Sequence, residues 1–293
     1  MLPEFEFLRP HSLPEALAML ADQAPDVMPL AGGTNIIVEL RDGHSSPKKL
    51  MDVGRLPELN GIGRKGEYIV IGGGTTITSL LTHPLIAQHG RALQEAASML
   101  GNPFVRNRAT VAGNLANASP AADTAPPLLA LGAEVELVSV KGARWVSLDK
   151  FMVSVNKTLL EPNELLTSVR WPVPDARSEA CFYKIGLRKA DACSVINAAA
   201  MVIWDESDYC RQARIAIGAA APRPVRAHAA EAALLGQPLT KDVIEGAARM
   251  AVQATEPIDD IRGTAAYRRR MAELMVRRLL TRIVESRAAR RES

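Results

Sequence analysis

Aromatic residues make up only 4% of this 293-residue chain, and cysteine occurs three times. So few rings leave no base-stacking platform of the kind single-stranded nucleic acids need. Cys181, Cys193 and Cys210 are an odd number without CxxC spacing. That argues against a disulfide frame, a zinc site or an iron–sulfur cluster held by this chain alone. Long apolar runs are missing too: 47% of residues are hydrophobic and 23% charged, and no stretch has the length of a membrane span. The opening MLPEFEFLRPHSLPEALAML has no basic region followed by an apolar one, so no secretory signal is expected and a reducing, cytoplasmic compartment is the default. Net charge is only +3, too small to suggest nucleic acid. The basic residues gather in YRRRMAELMVRRLLTRIVESRAARR, which reads either as a solvated helix face or as a docking face for an acidic partner.

What is present is a mixture of β segments followed by helices, which predicts an α+β chain of two domains. SLPEALAML has a capping Ser12, Pro14 in the first turn and Leu13, Leu17 and Leu20 at helical spacing. DVMPLAGGTNIIVEL reads as a strand, a glycine turn and a helix. KKLMDVGRLPELNGI and EYIVIGGGTTITSLL suggest short strands, and LIAQHGRALQEAASML one amphipathic helix ending at Gly101. AEVELVSV and ARWVSL predict a hairpin around Lys141-Gly142. The prolines of RWPVPDARSEA mark a linker. Beyond it, CFYKIGLRKADACSVINAAAMVIWD and CRQARIAIGAAAP predict strands of a second sheet, and three helical patterns follow at 226–235, 240–254 and 262–286.

A GxGxxG pattern at 61–66 is rejected as a dinucleotide fingerprint, because LPELN precedes it and the strand-like EYIVIG follows. A turn is expected there, and GGGT at 72–75 fares little better. LAGGTNIIVEL is more informative: a strand enters Gly32-Gly33, and successive N–H groups in such a turn make a concavity for an anion. Glycine lets phosphate oxygens approach the main chain because no Cβ intervenes. An ordinary connecting turn stays open for this loop alone. TVAGNLANASPAADTAPPLLALGA, at 110–133, repeats the logic with eight alanines and a single charge, Asp123. Gly113 and Asn114 follow the strand-like RATVA, and Asn117, Ser119 and Asp123 offer short polar groups near a proline-rich helix start. Two such loops could clamp one diphosphate from two sides. The residues alone give a phosphate-bearing ligand and do not name it.

AGGTNIIVELRDG and RNRATVAGNLANASPAADTAPPLLALGA resemble the two flavin-binding loops of the FAD-binding medium subunit of the molybdenum hydroxylases, the xanthine dehydrogenase and aerobic carbon monoxide dehydrogenase class. MDVGRLPELNGI, FYKIGLRKADACSVINAA, APRPVRAHAAEAALLGQPL and EPIDDIRGTAAYRRRMAELMVRRLL fall in the family's order, so the resemblance covers nearly the whole chain. It implies an FAD domain of the vanillyl-alcohol-oxidase type over 1–175, made of two α+β subdomains at about 1–60 and 61–175. A smaller domain, an antiparallel sheet plus three helices, is expected over 178–286.

The resemblance also implies roles. Gly32, Gly33, Thr34 and Asn35, with Ala31 and Ile36 beside them, would present N–H groups to the FAD pyrophosphate. Thr110, Gly113, Asn114 and Asn117 would do so from the other side and reach the ribityl chain. Asp123 matches the acidic residue that binds the adenosine ribose, Leu166 an apolar flavin contact, and Lys184 a lysine near the cofactor. Arg188 and Asp191 lie in the segment that borders the isoalloxazine. Residue-level alternatives remain: Asp123 as a helix cap, Leu166 as core, Lys184 as a surface lysine. Cys193 and His83 are read as structural. The family usually has Gly-Gly-Asn where this chain has Ala112-Gly113-Asn114, so a positive φ at Ala112 would strain the loop. The cysteine-rich insert of the 4-hydroxybenzoyl-CoA reductase branch is missing.

The implied activity is electron relay. Substrate would be oxidised at a molybdenum–pterin site on a large partner subunit, and electrons would cross two [2Fe–2S] clusters on a small subunit to non-covalent FAD held here, then leave to an external acceptor. A dimer of heterotrimers is the family expectation. Such a subunit needs no catalytic acid or base and no metal ligands of its own, since the cofactor carries the redox chemistry. The histidine or cysteine flavin linkage of several oxidases has no counterpart in either loop. Two alternatives are a stand-alone flavin oxidoreductase of the same fold and a flavin-free scaffold, with Ala112 the one feature favouring the latter.

Overall fold

The spacing of SLPEALAML does produce a helix. In the computed structural model, which describes residues 2–292, strand β1 (Glu6–Leu8) leads into helix α1 (Leu13–Gln23), whose N-cap Ser12 accepts from the Glu15 N–H. Strand β2 (Val27–Leu30), helix α2 (Ile36–Arg41) and strand β3 (Lys49–Asp52) complete a parallel three-stranded layer ordered β1-β3-β2. Ala16, Leu17 and Leu20 of α1 bury against Val27, Met51 and Val53.

The next layer is antiparallel. Strands β4 (Ile62–Lys65) and β5 (Tyr68–Gly72) form a hairpin, so Gly61 to Gly66 is mostly strand, with the turn at Gly66. TTITSLL continues as helix α3 (Ile77–Thr82) rather than as strand, with Thr76 as its N-cap. The single helix expected from LIAQHGRALQEAASML is two, α4 (Pro84–His89) and α5 (Arg91–Met99), broken at Gly90. The break has a packing cause: a Cβ on Gly90 would lie 3.2 Å from Trp171, whose indole N–H donates to the His89 carbonyl at 3.0 Å. His83 caps α4 through Nδ1, a structural role.

Helices α6 (Pro103–Arg106), α7 (Val111–Ala116) and α8 (Ala125–Leu131) precede the hairpin of β6 (Glu134–Ser139) and β7 (Gly142–Ser147). RATVA is therefore not a strand: only Thr110 bridges to Thr76, and Val111 opens α7. A one-turn α9 (Leu148–Phe151) and a separate two-stranded pair, β8 (Met152–Ser154) and β9 (Lys157–Thr158), follow, and β10 (Leu165–Pro172) completes a five-stranded sheet ordered β4-β5-β10-β6-β7.

Beyond the proline-marked turn, β11 (Ser178–Gly186), β12 (Ser194–Trp204), β13 (Cys210–Gly218) and β14 (Val225–Arg226) form an antiparallel sheet in that order. Helices α10 (His228–Leu234), α11 (Lys241–Ala251) and α12 (Ala265–Glu292) cover one face. All eleven residues of β12 are buried. The period of two along a strand explains this. Ala199, Met201 and Ile203 join the core of Ile69, Leu128 and Trp171, while Ala198, Ala200, Val202 and Trp204 join the core of the three helices.

The segment DIRGTAAYR anchors α12. Asp260 accepts from Arg262 at 2.7 Å and from the buried Arg268 at 2.5 Å. Burial pushes the Asp260 carboxyl up, but the hydrogen bonds from the two guanidinium groups outweigh it and hold the acid well below the usual carboxylate range. The basic run of α12 is in part internal glue. Arg282 pairs with Glu95 of α5 at 2.5 Å, Arg290 with Glu179 at 2.8 Å, and Arg287 and Arg291 with Asp208. Arg282 and Arg287, 29% and 19% exposed, fit neither sequence reading of the run, whereas Arg290 and Arg291 stay largely in solvent.

Candidate functional site

Strand β2 delivers the chain to Ala31, where close backbone approaches shape the turn into α2. A Cβ on Gly32 would lie 1.9 Å from the Arg108 carbonyl oxygen, so only glycine lets this turn touch the segment that opens the second loop. Gly33 has φ +77°, the left-handed region that favours glycine. Behind the turn, Gly54 approaches Ala31 so closely that a Cβ would sit 2.8 Å from its carbonyl oxygen, and Val53 N–H donates to Leu30. MDVGRLPEL thus buttresses the first loop. Among the described residues, no hydrogen bond takes the backbone N–H groups of Gly32, Gly33, Thr34, Asn35 or Ile36, or the side chains of Thr34 and Asn35. The turn is a half-exposed row of free donors ahead of α2.

The second loop is built differently. Val111 N–H donates to Thr75 at 3.1 Å, Ala112 N–H to Gly73 at 2.9 Å, and Gly113 N–H to the Thr110 hydroxyl at 3.1 Å. Asn114 and Asn117 donate to the carbonyls of Thr110 and Gly113. The expectation that Gly113, Asn114 and Asn117 offer their N–H groups to a phosphate is corrected here: forming α7 consumes them. Side chains are what this loop has to offer. Among the described residues the Asn117 amide has no partner, and Asn114 Oδ1 accepts from Thr124 at 2.6 Å. Ala112 sits inside α7 without positive φ, so the substitution of alanine for glycine strains nothing.

GGGT at 72–75, set aside in the sequence, is the scaffold of this loop. Gly73 accepts the Ala112 N–H and donates to Thr167 at 2.7 Å. A Cβ there would lie 2.5 Å from the Leu166 carbonyl oxygen and 2.9 Å from the Ala112 methyl. Three consecutive glycines after an alternating strand are the signal of such a crossing. Leu166, 5% exposed, lies in the core at a bulge in β10.

Asp123 is 6% exposed and does not cap α8: the N-cap is Thr124, without a side-chain hydrogen bond. Its Oδ2 receives Lys184 Nζ at 2.5 Å, and its Oδ1 receives Ser194 Oγ at 2.6 Å and Asn197 Nδ2 at 2.8 Å. Lys184 is no surface lysine; its side chain is 5% exposed and also donates to the Met99 carbonyl at 3.0 Å. Burying this ion pair is tolerable because each charge is matched and hydrogen bonded. A carboxylate has about four acceptor sites, so three donors leave room for one more. Arg188 and Asp191 stand apart in the exposed turn between β11 and β12, where Arg188 donates to the Ala190 and Asp191 carbonyls. Sequence reasoning missed Ser194, Asn197 and the glycine run.

The structure thus joins the Ala31–Ile36 turn to the Thr110 segment through Gly32, Leu166 to Ala112 through Gly73, and Asp123 to Lys184 directly. Free amides suit a diphosphate, and a buried carboxylate with a spare acceptor site suits a sugar hydroxyl. Comparison with known proteins identifies the family. Residues 3–174 match the family described as FAD binding domain in molybdopterin dehydrogenase, and residues 181–283 the CO dehydrogenase flavoprotein C-terminal domain. The chain is 33% identical over 278 residues to the carbon monoxide dehydrogenase medium chain of Hydrogenophaga pseudoflava, across 95% of this chain and 96% of that one. It is 33% identical over 289 residues to the nicotinate dehydrogenase FAD-subunit of Eubacterium barkeri, across 97% of each. A solved structure of the H. pseudoflava carbon monoxide dehydrogenase, in a form lacking the Mo-pyranopterin moiety of its cofactor, matches with a TM-score of 0.94 at 34% identity, over 98% of this chain and 99% of that one.

Proposed function

The chain belongs to the FAD-binding medium subunits of the molybdenum hydroxylases, and from that premise we propose that it is the electron-relay subunit of such an oxidoreductase. Bound non-covalently, FAD supplies the redox chemistry, receiving electrons from two [2Fe–2S] clusters of a small partner subunit and passing them to an external acceptor. The substrate is oxidised at a molybdenum–pterin site of a large partner, in a cytoplasmic dimer of heterotrimers. Among the described residues no helix is long and apolar enough to cross a membrane.

The residues of this chain bind and orient. The N–H groups of residues 32–36 hold the pyrophosphate, with Gly32 seating the turn against Arg108 and Gly33 supplying its left-handed bend. Asn114, Asn117 and Thr110 face it from the second loop. Asp123 takes a ribose hydroxyl at its spare acceptor site, Leu166 supplies an apolar wall, and Lys184 pairs with the buried carboxylate and holds it in place. Residues 1–175 and 178–286 work as two domains around this site. Relatives at equal identity carry different substrates in their names, carbon monoxide and nicotinate, which suits a subunit that does not meet the substrate. The scaffold alternative loses its support, because Ala112 is unstrained.

The observation that carries the proposal is the row of free amides at 32–36, held against the second loop by Gly32. Titrating the flavin-stripped full chain with FAD tests it. About one FAD per chain is expected, with release of the flavin on acid precipitation. A folded chain that stays colourless overturns the proposal, and flavin retained by the precipitate overturns non-covalent binding.

A further inference from the structure

Two strands of the C-terminal sheet reach into the site. Ser194 and Asn197, at the start of β12, are fully buried, and both donate to Asp123 Oδ1, at 2.6 and 2.8 Å. They also touch each other, Asn197 Nδ2 lying 3.2 Å from Ser194 Oγ. The carboxylate fixes which way the amide points: turned over, it would present its oxygen to an anion. In the observed orientation Asn197 Oδ1 is buried without a hydrogen-bond partner among the described residues. Its place is made by Gly218 of β13, directly opposite in the sheet register, where a Cβ would sit 2.1 Å from that oxygen. An orphaned buried acceptor destabilises a fold. Structural needs alone would be served better by an apolar residue here, as at the neighbouring positions of β12. The same sheet holds the loop at a second point, where Ala219 N–H donates to the Pro120 carbonyl at 2.7 Å.

We infer that Ser194 and Asn197, with Gly218 making room, are positioning residues for cofactor binding. They hold the Asp123 carboxylate so that its free lone pair meets the adenosine ribose, which makes the C-terminal sheet a working part of the FAD site. The inference rests on the ribose role proposed above for Asp123. Ser194→Ala removes one donor. Asn197→Ala removes the other together with the orphan. Gly218→Ala alters no group that itself contacts Asp123, yet its Cβ displaces the Asn197 amide.

The test measures FAD affinity of the flavin-stripped full chain against that of an FAD analogue lacking both adenosine ribose hydroxyls. The wild-type chain is expected to prefer FAD about tenfold. In Ser194→Ala, Asn197→Ala and Gly218→Ala this preference should shrink toward one, because a misplaced carboxylate no longer distinguishes the two ligands. A merely structural role would weaken both ligands together and leave the ratio at its wild-type value, and that result overturns the inference. A wild-type ratio near one overturns the ribose contact itself and the inference with it. Should Asn197→Ala fail to fold, the ratio in the milder Ser194→Ala decides.

Discussion

The two glycine-marked loops look alike in composition and do opposite things with their backbones. The first leaves the N–H groups of residues 32–36 unpaired, while the second closes those of Val111, Ala112, Gly113, Asn114 and Asn117 on neighbouring carbonyls or on the Thr110 hydroxyl. The first therefore offers a fixed positive lining with little side-chain chemistry. The second offers a short, rigid helix whose side chains, with Asp123 beyond it, carry the recognition. Small residues serve close packing within the protein in both loops, Gly32 against the Arg108 carbonyl and Ala112 against Gly73.

The largest expected effect breaks both loops at once. Gly32→Val forces a Cβ into the Arg108 carbonyl, so purified protein should carry no flavin and lose about 3 kcal/mol or more of stability in denaturant unfolding. Full flavin occupancy in this variant would dissolve the proposed junction.

Asp123→Asn strikes the second loop alone. It leaves the Lys184 ammonium buried opposite a neutral group, and about 3 kcal/mol of stability should go with it. FAD affinity should fall about tenfold; unchanged affinity would reduce the second loop to a support for the first.

A smaller effect asks how far the second loop leans on the C-terminal helices. Asp260 holds Arg268, which reaches the Ala219 carbonyl, and Ala219 N–H holds Pro120. The folded-state pKa of Asp260 lies below its unfolded value, so its contribution is complete above about pH 4 and is lost as pH falls through the folded value. Asp260→Asn should lower the melting temperature by a few degrees at neutral pH, and its gap from wild type should close in acid. A gap independent of pH would contradict the ionised pairing.

Ala112→Gly is expected to do least. With no positive φ to relieve, the change costs at most about 1 kcal/mol of helix stability and leaves FAD affinity as it was. Tighter FAD binding would mean that the alanine does impede the cofactor.

Much of the secondary structure was legible because it rests on local signals: the Ser12 cap, the strand before Gly32, the hairpin around Gly142, the three C-terminal helices. The errors have long-range causes. The break at Gly90 depends on Trp171, about eighty residues away, and the helix that replaced RATVA depends on carbonyls of Thr75 and Gly73. At the site, glycine spacing pointed to the first loop and the lone charge of the second pointed to Asp123. The partners of Asp123 were invisible: Lys184 entered only through resemblance, and Ser194 and Asn197 read as ordinary strand residues until β12 was seen to run beneath the loop. A nucleotide motif is the wrong template for the glycines at 72–74, whose spacing answers to the backbone they pass.

Strand β12 has no face toward water: alternate side chains belong to two different interiors. Neither half of the molecule can be peeled off intact, since removing one strips a wall from the other. Heating should consequently melt the chain in a single step, and a fragment ending near residue 177 should aggregate instead of surviving as an independent flavin carrier.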